Sequence, residues 1–145
     1  MIRRFLRCMK GYVMPYSAIL IVLVGMPMMI LSVELTRSMY VNVNIQTAVD
    51  AACAAAVQAV DVDHFTSTGE VLVNSSWAAS YAQREFDATV ANSNVQNYSP
   101  SLTGVSVVNS SQVFCTASAQ LNWLLPGVPA INIQVTSAAE AVARR

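Results

Sequence analysis

Charge is scarce in this chain. Only 11% of its 145 residues are charged, less than half the share usual in soluble domains. Lys+Arg and Asp+Glu are equal at eight each, so no basic excess exists to neutralise phosphates, and a nucleic-acid partner is excluded. The five glycines never cluster, which removes a phosphate-cradling loop. With a single histidine and no nucleophile-elbow motif, no catalytic residue is expected. Disorder is excluded from the other side, because 54% of the residues are hydrophobic.

What charge there is lies unevenly. Arg3, Arg4, Arg7 and Lys10 stand in the first ten residues without an acid. From Glu34 onward eight acids face four arginines, a net of −4. Between Lys10 and Glu34 lie 23 residues with no charge at all, GYVMPYSAILIVLVGMPMMILSV. As a helix they reach roughly 34 Å, enough for a bilayer core of about 30 Å. A cleaved secretory signal has a shorter apolar run and a small-x-small site at its end. Here the run ends in Ser32-Val33-Glu34-Leu35-Thr36-Arg37, so an uncleaved signal anchor is expected. The basic flank stays on the cytoplasmic side, placing the N-terminus inside and the rest outside. Pro15 falls near the first turn, where a missing donor costs nothing, whereas Pro27 is deep enough to predict a bend.

The helical pattern continues past the span. From Glu34 to Val60 there is neither Gly nor Pro. Val41, Ile45, Ala48, Val49, Ala52, Cys53, Ala56 and Val60 recur three or four residues apart, with Gln46, Asp50 and Gln58 on another side. One helix over about residues 12–60 would be roughly 70 Å long. Its outer half carries a face of small residues that should meet a flat partner, a sheet or other helices. The segment after it, DVDHFTSTGE, reads as a polar turn. A second helix is predicted from Ser75 or Ser76, with Trp77, Ala78, Tyr81, Ala82, Phe86 and Val90 at helical spacing. ANSNVQNYSPSLTG reads as a loop. The period then becomes two. Val113, Cys115, Ala117, Ala119, Leu121 and Trp123 alternate with polar residues, and so do Ile131, Ile133 and Val135. An antiparallel hairpin follows, with Val105 to Val108 as a candidate third strand, wet on one face. The expected class is therefore α+β. A long N-terminal transmembrane helix is packed on a small antiparallel sheet with a second helix. The divisions are a basic leader (1–11), the span (12–33), its extracytoplasmic continuation (34–60) and an α+β domain (61–145).

Candidate site residues are few. Asp61, Asp63 and His64 offer metal-ligand atoms, but not at the spacing of a zinc or EF-hand site, and a solvated turn or helix end accounts for them. No metal or cofactor is expected. Cys53 and Cys115 both fall on apolar faces outside the membrane. They are either a disulfide or two small buried thiols. Cys8 would lie on the cytoplasmic side, where disulfides seldom persist. Glu34 and Arg37, three residues apart, either pair within the helix or serve a neighbouring subunit. Gly25 and the outer alanines are candidate contacts where helices approach closely.

Three stretches together resemble a known family: Gly11-Tyr12-Val13-Met14-Pro15 before the span, Val33-Glu34-Leu35-Thr36-Arg37 after it, and Ile45-Gln46-Thr47-Ala48-Val49-Asp50-Ala51-Ala52 one helix further. They look like the N-terminal region of TadE/TadG-like proteins, pilin-like components of the tight-adherence (Flp) pilus machinery. The resemblance covers about residues 10–60. It implies a pilin-like, oligomeric envelope protein of bacteria or archaea, a minor pilin or an assembly or anchor subunit. Its partners would be the lipid bilayer, other pilin-like subunits and the pilus assembly or related secretion machinery. It also implies processing between Gly11 and Tyr12, with Tyr16 standing where processed pilins usually carry Glu, and assembly contacts through Glu34, Arg37 and Asp50. The rival reading is a single-pass tethered binding or sensor module, whose helix only anchors it.

Overall fold

A computed structural model of the chain describes residues 15–93, 98–123, 127 and 129–142. It is an α+β protein with a long apolar N-terminal helix and a three-stranded antiparallel sheet. The chain divides into two compact units, Met1–Arg37 and Ser38–Arg145. The backbone is helical without a break over Pro15–Val57, here α1. Two short connections lead to α2 (Val62–Thr68) and α3 (Ser75–Ala91). The strands β1 (Tyr98–Val108), β2 (Gln112–Leu121) and β3 (Ile131–Glu140) follow in sequence order across the sheet.

In the first unit the large apolar side chains of α1 stand bare. Ile19, Ile21, Leu23, Met28, Met29 and Leu31 are all more than half exposed. The described residues contain one helix long and apolar enough to cross a membrane, and it is this one. Two of its hydroxyls bond back to the helix's own backbone. Ser32 Oγ donates to the Met28 carbonyl at 2.9 Å, and Thr36 Oγ1 to the Ser32 carbonyl at 3.0 Å. That is how a helix in an apolar medium must treat its polar groups. Pro27 is absorbed by a local change of helix type. In a regular helix its ring would meet the carbonyl of Leu23. Ile21–Gly25 instead form a π-helical turn, after which the regular ladder resumes at Met26.

The core of the second unit is built on the face of α1 that the spacing predicts. Val41, Ile45, Ala48, Val49, Ala52, Cys53 and Ala56 are all buried, while Gln46, Asp50 and Gln58 are exposed. They cluster with Val113, Cys115, Ala117, Ala119 and Leu121 of β2 and Val135 of β3. Because the contact side chains are small, helix and strands approach closely. Cys53 Sγ lies 3.4 Å from the backbone carbonyl oxygens of both Val113 and Ser137.

Several expectations need correction. The helix ends at Val57, not Val60. The amides of Gln58 and Ala59 tighten onto carbonyls three residues back, and Val60 leaves the helix to bridge Val73. The polar segment after it is a two-turn helix, not a turn. Asp61 caps α2 by accepting from the amides of Asp63 and His64, and Gly69 ends it at φ 74°. On α3 the buried residues are Ala78, Ala82 and Phe86, while Trp77 and Tyr81 are exposed. That helix is capped by Asn74, whose side chain accepts from the amides of Ser76 and Trp77.

The stretch from Tyr98 to Gly104, expected as loop, is the first half of β1. Its pairing with β2 slips between Leu102 and Gly104, a bulge that leaves Thr103 over. Thr103 Oγ1 then donates to the Thr116 carbonyl at 2.9 Å. Pro100 is accommodated because β1 is an edge strand. The β1–β2 turn places Asn109 and Ser110 at φ 52° and 65°, the left-handed pair that a tight hairpin needs.

Candidate functional site

The candidate residues are distributed along α1 and on the sheet face beneath it. Gly25 closes the π turn, and a Cβ added there would meet only Ile21 Cγ2, at 3.9 Å. Among the described residues, no contact requires a glycine at that position. Farther along, Met39, Tyr40 and Val43 are more than half exposed on the side of α1 away from its buried face.

Glu34 is the one buried charged residue among the described residues, 2% exposed. Arg37 Nη1 lies 3.7 Å from Glu34 Oε2, so the pair forms along the helix at i, i+3. An exposed pair of this kind contributes only a few tenths of a kcal/mol. A buried carboxylate is different, because removing its cation leaves a desolvated charge behind. Sequence spacing indicates the pairing but gives no sign of the burial. Asp50, by contrast, is exposed and accepts from Gln46 Nε2 at 3.1 Å within the same helix.

Cys53 and Cys115 are brought together. Both are buried free thiols, one on α1 and one on β2. The carbonyls that Cys53 Sγ touches belong to Val113, two residues before Cys115, and to Ser137, the β3 residue opposite Cys115. Burial pushes the Cys115 thiol well above its ordinary range, and a hydrogen bond with Cys53 and the charge of that neighbour add to the effect. The consequence for stability has a definite sign. Below the unfolded-state value, about 8.5, both states hold the proton and pH has no effect. Above it the unfolded chain releases the proton and the folded chain keeps it. Stability of the reduced protein should therefore fall by about 1.4 kcal/mol per pH unit from roughly pH 8.5 upward. Denaturant titrations at pH 8 and 9.5 will read this slope, and Cys115→Ala should abolish it.

The outer face of the sheet is mostly polar, with Val108, Phe114 and Ala138 as an apolar exception at one end. Ser99, Ser101, Thr116, Ser118, Gln120, Asn132, Gln134 and Thr136 project from it; all are exposed except the partly exposed Thr116 and Ser118. Ser101 and Ser118 hydroxyls lie 3.3 Å apart across β1 and β2, and those of Thr116 and Thr136 lie 3.5 Å apart across β2 and β3. An open groove of about 580 Å³ is lined by Val57, Val60, Phe65, Val71, Ala141 and Val142, with Glu140 its one carboxylate. Asp61 serves as a helix cap, and the described residues hold no group of three or more His, Cys, Asp or Glu that could share a metal ion. Gly11, Tyr12 and Cys8 lie outside the described residues. Compared with protein-family models, curated proteins and solved structures, the chain finds no match.

Proposed function

We propose that this chain is a single-pass, pilin-like envelope protein of the tight-adherence type, a minor pilin or assembly subunit acting by helix-to-helix packing. Its N-terminus lies inside and its α+β domain outside the cytoplasmic membrane. The observation that carries this reading is the unbroken helix Pro15–Val57, which holds both the bare apolar stretch and the buried small-residue face from Val41 to Ala56. The four cations ahead of the span support the orientation. Gly25 supports close approach of a second helix, because no contact among the described residues uses its small size. The exposed apolar residues Met39, Tyr40 and Val43 add contact surface beyond the charged pair.

One alternative has an observation in its favour. The polar outer sheet face suits a tethered binding module, in which α1 is only an anchor. Single cysteines at Gly25, Met39 and Val43, in a chain with Cys8→Ser, separate the two. Assembly predicts periodic crosslinks through these positions to a second pilin-like chain in intact membranes. It also predicts that an unrelated apolar span in place of residues 12–33 abolishes them and the assembled structure. If the foreign span supports full function and no position crosslinks, the tether reading replaces this one.

A further inference from the structure

We propose that Cys53 and Cys115 close a disulfide in the mature protein, tying α1 to the central strand of the sheet. The two residues come from elements about 60 residues apart in sequence, yet the fold stacks one on the other. Cys53 Sγ sits 3.4 Å from the carbonyls of Val113 and Ser137, which flank Cys115 along β2 and across to β3. Two thiols facing each other in an otherwise apolar core gain nothing from being cysteines rather than alanine or valine, since free cysteine packs as a small hydrophobe. Their gain comes on oxidation. This inference rests on the orientation proposed above, because protein disulfides persist in oxidising compartments outside the cytoplasm.

The chemistry balances with an external disulfide as oxidant, either oxidised glutathione or the disulfide of an envelope thiol oxidase. One cysteine loses its proton and its thiolate attacks the external disulfide, releasing one thiol. The second cysteine, also deprotonated, attacks the mixed disulfide and releases the other thiol. One S–S bond is made and one is broken. Two protons leave the cysteines, and the oxidant ends as two thiols. The order of events follows from burial. Both sulfurs are inaccessible in the folded domain, and Cys115 resists deprotonation there. Oxidation therefore precedes docking of α1 on the sheet, and the finished bond is shielded from reductants.

The test uses the full-length chain carrying Cys8→Ser, taken from membranes after acid quenching. It is denatured with and without reductant and labelled with a maleimide. The expected result is no label without reductant and two labels with it, the unreduced chain being about 2 Da lighter for its two missing hydrogens. Reduction should lower the melting temperature by roughly 15–25 °C, the effect of opening a loop of this length in a domain of this size. Cys53→Ala should leave Cys115 open to label in the denatured chain without reductant. Two labels without reductant overturn the proposal, and a parallel refolding with oxidised glutathione tells why. Closure there but not in cells would mean that the domain faces a reducing compartment, and the orientation falls with it. Failure to close there as well would overturn the pairing alone and leave the orientation standing.

Discussion

Phe86→Ala is expected to cost the α+β unit Ser38–Arg145 about 3–5 kcal/mol, the range for emptying an aromatic site in a packed core. Among the described residues Phe86 is the largest fully buried side chain, 1% exposed, and it lies on α3, which packs along β1. Domains of this size are stable by only about 5–15 kcal/mol in total, so one substitution consumes a large share. The melting temperature should drop by roughly 15–30 °C. Trp77→Ala supplies the contrast. Trp77 is on the same helix and is larger, but 54% of it is exposed. Its loss should cost about 1–2 kcal/mol, clearly less than the Phe86 effect, since about half of its surface stays in water. Thermal unfolding of the detergent-solubilised chain, followed by circular dichroism, compares the two directly. Equal losses would mean that α3 is rotated from the face described.

That contrast shows where the sequence is legible and where it is not. Helical spacing groups Trp77, Tyr81 and Phe86 as one apolar set, and by period alone they cannot be ranked. The structure selects Ala78, Ala82 and Phe86, a narrow stripe at intervals of four. The aromatic residues beside it overhang into solvent. The buried face of α1 was readable because small residues recur there with polar ones opposite. The same regularity exposed the cysteine pair, since each falls on the inward side of its own element. By contrast β1 was obscured by its own bulge. Tyr98, Pro100 and Leu102 alternate, but Thr103 shifts the parity before Val105 and Val107 resume it, so no single period-two pattern covers the strand. Composition also misled, because Pro100 and Gly104 are ordinary loop signals. Helix α2 was hidden by its shortness and its β-branched residues, although Asp61 before it and Gly69 after it are cap signals in plain view. The burial of Glu34 has no sequence signature, because a carboxylate next to an apolar run looks the same exposed or buried.

Introducing Leu23→Asp and Ile30→Asp together should remove the chain from the membrane fraction. Each carboxylate at the centre of a spanning helix raises the insertion free energy by about 2.5–3.5 kcal/mol, and aspartate is too short to reach the interface. The pair therefore shifts partitioning by about 5–7 kcal/mol, a factor of roughly 10⁴–10⁵. The experiment discriminates because the alternative predicts the opposite sign. Leu23 is 71% exposed and Ile30 36%. If α1 faced water, replacing exposed apolar residues by aspartate would be close to neutral for stability and would improve solubility. Asn42→Asp with Thr47→Asp is the matched control. Both positions are exposed on the same helix but lie beyond the apolar stretch. Alkaline extraction of membranes followed by immunodetection gives the readout. The control pair should stay in the pellet and the Leu23/Ile30 pair should leave it. Retention of both would show that α1 is held by protein contacts, and the lipid-spanning role of its first half would be lost. The second unit keeps its own core, Val41 to Ala56 included, in either case, so loss from the membrane need not involve unfolding. An unchanged melting temperature for the extracted double variant would establish that insertion, and not folding, is what the charges disrupt.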